Sequence, residues 1–461
     1  MEGHFSVVHE TDWLGSNLVF FNAETGVYSP RLKDLTSKDS KIHKDGLESF
    51  LRFGFAFQGQ TPFDQIKFTL PNQVLLRKPN GDLVVEDRID PVITFLGRKA
   101  TEHDAIEGIR EWIRKFYDSP LDRGDVTALP LSGGFDSRML AYFSQNRSSV
   151  RAFSYGTSLV QKRSHEVKIA SRVAAECGLR WNQIQLGDFH DFLDENDLLY
   201  GASTHAHSMY HFEFFTKIRE FLGEVSSPSV LSGIYGDVWA GSWEFDSISG
   251  PEDVRTLSTN HGIDASSLML PSRRATELEQ IFWEKNKDYL KDPAFRIISA
   301  ARIKMVLIRH LLQTPSALGF RVYSPFLDLD IAMSMLLIDK ERRRDRLWQK
   351  EFLNKAINIP LPKRWPELNA LDMYACYRRP PPKLSDWLPP AKRTGLPLIG
   401  NVQLKIYFSK LSFSLEWIKY KFFQIFSGIF MFSFRPKFVE HYSVYMTLYP
   451  FAANYGLVEK R

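Results

Sequence analysis

The segment Leu131-Ser132-Gly133-Gly134-Phe135-Asp136-Ser137-Arg138 holds the residue types that grip a phosphate. Two adjacent glycines let the backbone approach an anion closely. A helix starting behind them would point its unpaired N–H groups at that anion. Ser132 and Ser137 add hydroxyl donors. Asp136 is an acid beside an anion site, where its electrostatic sense is to hold Mg²⁺ rather than to face phosphate bare. No lysine follows the glycines, so this is not the G-x-x-x-x-G-K-[ST] loop. The competing reading is a plain glycine turn capped by Ser137, and the flanking elements decide between the two.

Those elements have the required order. Residues 126–131 form a short apolar run, and residues 137–145 follow as a helix. Residues 150–155 read as the next strand, 165–177 as a helix closed by Gly178, and 181–186 as a third strand. Strands alternating with helices predict a parallel sheet covered on its faces. Ahead of it, residues 1–97 read as β-rich. Strands at 74–78 and 83–85 flank Pro79-Asn80-Gly81-Asp82, a hairpin signature. Residues 104–117 carry Ile106, Ile109, Ile113 and Phe116 at helical spacing. Pro120 and Gly124 punctuate the chain after them.

With that context, Ser132 to Ser137 resembles the S-G-G-x-D-S signature of the PP-loop ATP pyrophosphatases. Within them the chain is similar to the asparagine-synthetase and β-lactam-synthetase branch. Leu231-Ser232-Gly233-Ile234-Tyr235-Gly236-Asp237 resembles the L-S-G-x-G-x-D motif. Arg321-Val322-Tyr323-Ser324-Pro325-Phe326-Leu327-Asp328 resembles R-x-P-F-L-D with one residue inserted. The resemblance spans roughly residues 45–400. It implies a synthetase that uses ATP and Mg²⁺ to turn a carboxylate into an acyl-adenylate, followed by displacement of AMP by ammonia or an amine. Ser132, Gly133, Gly134 and Ser137 would cradle pyrophosphate, and Asp136 and Asp237 would bind Mg²⁺. Leu131, Tyr155, Ser232 and Gly233 would line the adenosine.

The chain also departs from that pattern. Glutamine-using members carry Cys at position 2, where Glu2 stands here, and no Cys precedes Cys177. Residues 47–54 and 60–66 nonetheless look like the end of a glutaminase domain, so residues 1–97 are expected to be a truncated, inactive version of one. The family's base after S-G is replaced by Ile234, which cannot move a proton. Tyr235 is the local candidate for that role, with a core or stacking role as the alternative. A transition-state lysine would be Lys392, in Lys392-Arg393-Thr394-Gly395, or Lys363.

The expected architecture is therefore α/β: the reduced β domain over 1–97, a helical linker over 98–124, a PP-loop synthetase domain over 125–400 and an aromatic extension over 401–461. Composition fits a folded globular protein, with 44% hydrophobic and 25% charged residues. A net charge of +5 over 461 residues suits an anionic small substrate but not nucleic acid. That weak charge and the absence of Cys pairs count against a tRNA-modifying PP-loop enzyme. Cys177 and Cys376 are too few and too far apart for a zinc site or disulfide framework. The tail over 422–434, aromatic and flanked by Lys and Arg, reads as packed on the synthetase domain or a partner subunit rather than in a membrane interface. No signal peptide or spanning segment is evident, so a cytoplasmic enzyme is expected. The carboxylate would be aspartate, a sugar acid or a peptide, as in a macrolactam-forming cyclase. The nitrogen would be ammonia or an amine, with a separate glutaminase as one source. The rival from another class is a non-catalytic nucleotide-binding subunit.

Overall fold

The computed structural model describes residues 5–119, 125–157, 160–205, 209–258, 275–357 and 359. Lys363, Cys376, Lys392 and the aromatic tail lie outside them.

The N-terminal region forms two small antiparallel sheets. One has β1 (Ser6–Glu10), β5 (Gln73–Arg77) and β6 (Leu83–Asp87) in the order β1-β5-β6. The other has β2 (Phe20–Asn22), β3 (Tyr28–Ser29) and β4 (Ile66–Phe68) in the order β3-β2-β4. The β5–β6 hairpin turns at the Asn80-Gly81 signature, where Lys78 N–H donates to the Asp82 carbonyl at 2.8 Å. Although the chain is already apolar at Leu18 and Val19, β2 starts only at Phe20. Asn17 instead closes a loop, its amide donating to the Glu10 carbonyl and accepting from Asp12 N–H, both at 2.9 Å.

The second region is a five-stranded parallel sheet: β7 (Thr127–Pro130), β8 (Val150–Ser154), β9 (Arg180–Gln183), β10 (Ser229–Leu231) and β11 (Arg321–Tyr323). Its order is β11-β10-β7-β8-β9, and every pairing is parallel. β7 and β10 are buried along nearly their whole length, as strands covered on both faces must be. The chain runs outward from β7 to β9 on one side, then returns to place β10 on the other. The sheet therefore reverses direction between β7 and β10, and the loops leaving their carboxyl ends diverge around a crevice there.

Helices that matter for this crevice are α1 (Glu102–Asp118), α2 (Phe135–Phe143), α3 (His165–Glu176), α4 (Met209–Leu222), α5 (Pro293–Ile308), α6 (His310–Ala317), α7 (Leu329–Leu336) and α8 (Leu347–Ala356). α1 begins two residues earlier than its apolar spacing predicts, because Thr101 and Asp104 form a reciprocal capping box. Expected as a linker, α1 buries Ala105, Ile109 and Ile113 and packs on α7 inside the shared core. Gly178, with φ +63°, ends α3 as expected. Cys177 sits buried beside it, its thiol pushed up to about 12 by burial and then by Glu176. Among the described residues no helix is long and apolar enough to cross a membrane.

One hydrophobic core runs through both regions. Trp13 Nε1 donates to the Leu327 carbonyl at 2.9 Å, and its ring lies 6.0 Å from Trp239. Arg302 on α5 pairs with Asp90 at 2.8 Å and donates from Nε to the Trp13 carbonyl at 2.9 Å. Both partners of that ion pair are largely buried, so removing one leaves a charge without compensation, at a cost of about 3 kcal/mol. Arg302→Met should therefore lower the thermal midpoint and expose the chain around residues 88–100 to protease, and adding Asp90→Asn should recover most of the loss. Unchanged melting in the single variant would show that Arg302 does not join the two regions.

Candidate active site

The crevice between β7 and β10 opens into a cavity of about 580 Å³. Ser132, Asp136 and Ser137 reach it from the loop after β7, and Ser232, Gly233, Ile234, Tyr235 and Asp237 from the loop after β10. α2 starts on Gly134, which offers no side chain to cap it. The loop ties itself with hydroxyls instead. Ser132 N–H donates to Ser137 Oγ at 3.1 Å, Gly134 N–H donates to Ser132 Oγ at 3.1 Å, and the two hydroxyls lie 3.0 Å apart. A helix N-terminus without a side-chain cap, behind two glycines, is an anion seat. Gly133 is favoured for a second reason: a Cβ there would make a tight 3.0 Å contact with Glu166 Cα on α3.

The two loops are pressed together. A Cβ on Gly236 would lie 2.7 Å from Asp136 Cγ and 2.9 Å from Phe326 Cε2. The turn that makes this possible closes with Gly236 N–H donating to the Gly233 carbonyl at 3.1 Å. It holds Tyr235 at φ +65°, a left-handed conformation unusual for a bulky residue. Phe326, from the Arg321–Asp328 motif, is buried beneath the turn, and its carbonyl accepts from Trp239 Nε1 at 2.8 Å. The third motif thus buttresses the second.

This packing sets the acids side by side. Burial and then the Asp237 charge push Asp136 up to about 7, against the pull of Gln349, Arg346 and the Asp237 N–H. Gln349 Nε2 donates to Asp136 Oδ1 at 2.9 Å, and Ser242 Oγ donates to Asp237 Oδ2 at 3.0 Å. Two carboxylates crowded together with too little positive charge form a seat for a cation. Mg²⁺ takes one or two carboxylates and completes its shell with water and substrate phosphate, so the pair fits it. Among the described residues no cluster of three or more His, Cys, Asp or Glu forms an all-protein metal cage.

Leu131 and Tyr155 also line the cavity, and Tyr155 packs edge-on against Phe214 at 5.0 Å. Gly133 and Gly134 belong to the loop after β7 but are not among the residues lining the cavity. Tyr235 is oriented otherwise than a proton acceptor needs. Its hydroxyl donates to the Ala301 carbonyl of α5 at 2.8 Å, and its ring stacks on Trp239 at 5.2 Å. Burial and then Asp237 push its phenol well above the ordinary range, so the proton stays on oxygen. Gln349, Tyr210, His211, His310 and Lys304 were not identifiable from sequence. Gln349 has no local motif and reaches Asp136 only through the fold. Lys304 lies buried over Trp243, 4.3 Å from the ring centre, and burial pushes it down to about 8.

The asparagine synthase family model matches residues 122–367. Among solved structures the chain is similar to the NH3-dependent NAD synthetase from Campylobacter jejuni subsp. jejuni, in complex with the nitrate ion, at 16% identity. That alignment covers 57% of this chain and 98% of the other, with a TM-score of 0.22, and bears on neither substrate nor site. None of the curated proteins matches the chain.

The acid pair has a consequence for stability. A carboxyl whose folded value is raised above its unfolded one favours folding only while protonated, and that contribution is lost as pH rises through about 7. Asp136→Asn, which keeps an acceptor for Gln349, should therefore raise the melting temperature of the ligand-free protein at pH 8. The advantage should shrink as pH is lowered toward 4.5. A variant melting below the parent at pH 8 would contradict the strained pair.

Proposed function

The chain belongs to the asparagine synthase family of ATP-using, amide-forming synthetases, and from that premise we propose that it activates a carboxylate as an acyl-adenylate and passes the acyl group to ammonia or an amine. The observation that carries this reading is the pair Asp136 and Asp237, held together at the mouth of the glycine loop by the contact between Gly236 and Asp136. A carboxylate oxygen attacks the α-phosphorus of ATP, and pyrophosphate leaves. Catalysis of such a step is mostly positioning and electrostatics. The amides and hydroxyls of Ser132, Gly133, Gly134 and Ser137 receive the leaving pyrophosphate, and Asp136 and Asp237 hold Mg²⁺. The ion supplies charge neutralisation on the phosphates. Leu131, Tyr155, Ser232 and Gly233 border the adenosine, and Lys392 or Lys363 steadies the transition states. Tyr235 serves as a pillar between the second loop and α5 rather than as the base.

The acceptor carboxylate enters a largely aromatic and apolar chamber, walled by Tyr210, Phe214, Phe215, Trp243 and Leu311. That lining suits a peptide or another bulky carboxylate better than aspartate. A second reading, nucleotide binding without catalysis, is favoured by Ile234, a hydrocarbon where a proton-moving group is expected.

Isotope exchange between pyrophosphate and ATP separates the two. It should depend on a carboxylate and on Mg²⁺, and Asp136→Asn should reduce it by at least about 10²-fold, the scale on which a lost electrostatic stabiliser acts. Nucleotide binding without exchange under any carboxylate supports the second reading. Undiminished exchange in the variant removes Asp136 from the site.

A further inference from the structure

We propose that His310 is the general base of the amide-forming step, an assignment that rests on the ligase reading above. An amine attacking the acyl-adenylate must lose a proton as the new C–N bond forms and the C–O bond to AMP breaks. Neither local candidate in the second motif takes it: Ile234 has no basic atom, and the Tyr235 hydroxyl donates to the Ala301 carbonyl. The acids on the cavity wall are committed. Asp136 and Asp237 face the cation seat, and Glu166 Oε1 accepts from both N–H and Oγ1 of Thr157 at 2.6 Å each.

His310 lines the same cavity as Ser132, Asp136 and Asp237. Its Nδ1 lies 2.9 Å from the Leu307 carbonyl. A carbonyl only accepts, so Nδ1 carries the hydrogen, and the lone pair of the neutral ring is on Nε2. A carbonyl fixing one nitrogen so that the other is basic is the arrangement a histidine base needs. The ring plane is also set: the His211 ring lies 4.9 Å away at 44°, with Tyr210 4.2 Å beyond it. The backbone before it is anchored by the fully buried Arg309, whose guanidinium reaches the Leu18 and Pro30 carbonyls. In the step, Nε2 accepts the amine proton, AMP leaves with the C–O electron pair, and the imidazolium releases the proton to solvent.

The test is made on the full chain with L-aspartate, D-glucuronate and the dipeptide Gly-Phe as carboxylates, and with methylamine and hydroxylamine as nucleophiles. His310→Asn keeps a donor for Leu307 but lacks a basic nitrogen. It should leave pyrophosphate exchange within about twofold of the parent and slow methylamide formation by roughly 10²–10⁴-fold. Hydroxylamine, weakly basic and already neutral, should be slowed far less. Imidazole added to His310→Ala should restore part of the methylamide rate, which a merely structural ring would not allow. Parental methylamide rates in His310→Asn, or equal slowing of both nucleophiles without imidazole rescue, overturn the assignment and leave the ligase reading standing. No exchange by the parent with any of the three carboxylates overturns the ligase reading and this assignment with it.

Discussion

The site depends on one close approach, that of Gly236 to the Asp136 side chain. No side chain fits at 236, because its first atom would lie 2.7 Å from Asp136 Cγ. This contact brings the loop after β10 onto the loop after β7, so that two acids from distant parts of the chain share one end of a cavity. The arrangement is unfavourable by itself, since burial and mutual repulsion raise Asp136. It persists because the surroundings over-determine it: Phe326 below, Gln349 alongside, and Tyr235 pinned in a left-handed turn between Trp239 and Ala301. A bound cation would reverse the sign of that cost.

Everything else positions that contact. The reversal of strand order between β7 and β10 sets the two loops at one crevice. α5 holds Tyr235 through Ala301 and the N-terminal sheets through Arg302, so the cavity wall and the first hundred residues share a support. The N-terminal region thereby shares one core with the parallel-sheet region.

Much of this was legible in the sequence because its signals are local. The glycine loop, the Asn80-Gly81 hairpin, the apolar spacing of α1 and the order of the parallel strands all follow from neighbours a few residues apart. The loops that carry Asp136 and Asp237 were legible through their motifs, and the fold brings the two acids to one cavity. Strand ends were less so, since Asn17 closes a loop with Asp12 that apolarity does not register. Gln349, His211 and His310 were not legible, because their partners come from remote segments and no spacing marks them. Tyr235 was legible as a residue of interest, but its role turned on a hydrogen bond to Ala301 that only the fold supplies.

The central claim is that Asp136 and Asp237 jointly seat a divalent cation with the nucleotide. Electron paramagnetic resonance of Mn²⁺, titrated into the protein with a non-hydrolysable α,β-methylene analogue of ATP, addresses it directly. The account predicts one bound Mn²⁺ that requires the nucleotide and is lost equally in Asp136→Asn and Asp237→Asn. Nucleotide-dependent Mn²⁺ binding that survives in either variant would contradict it.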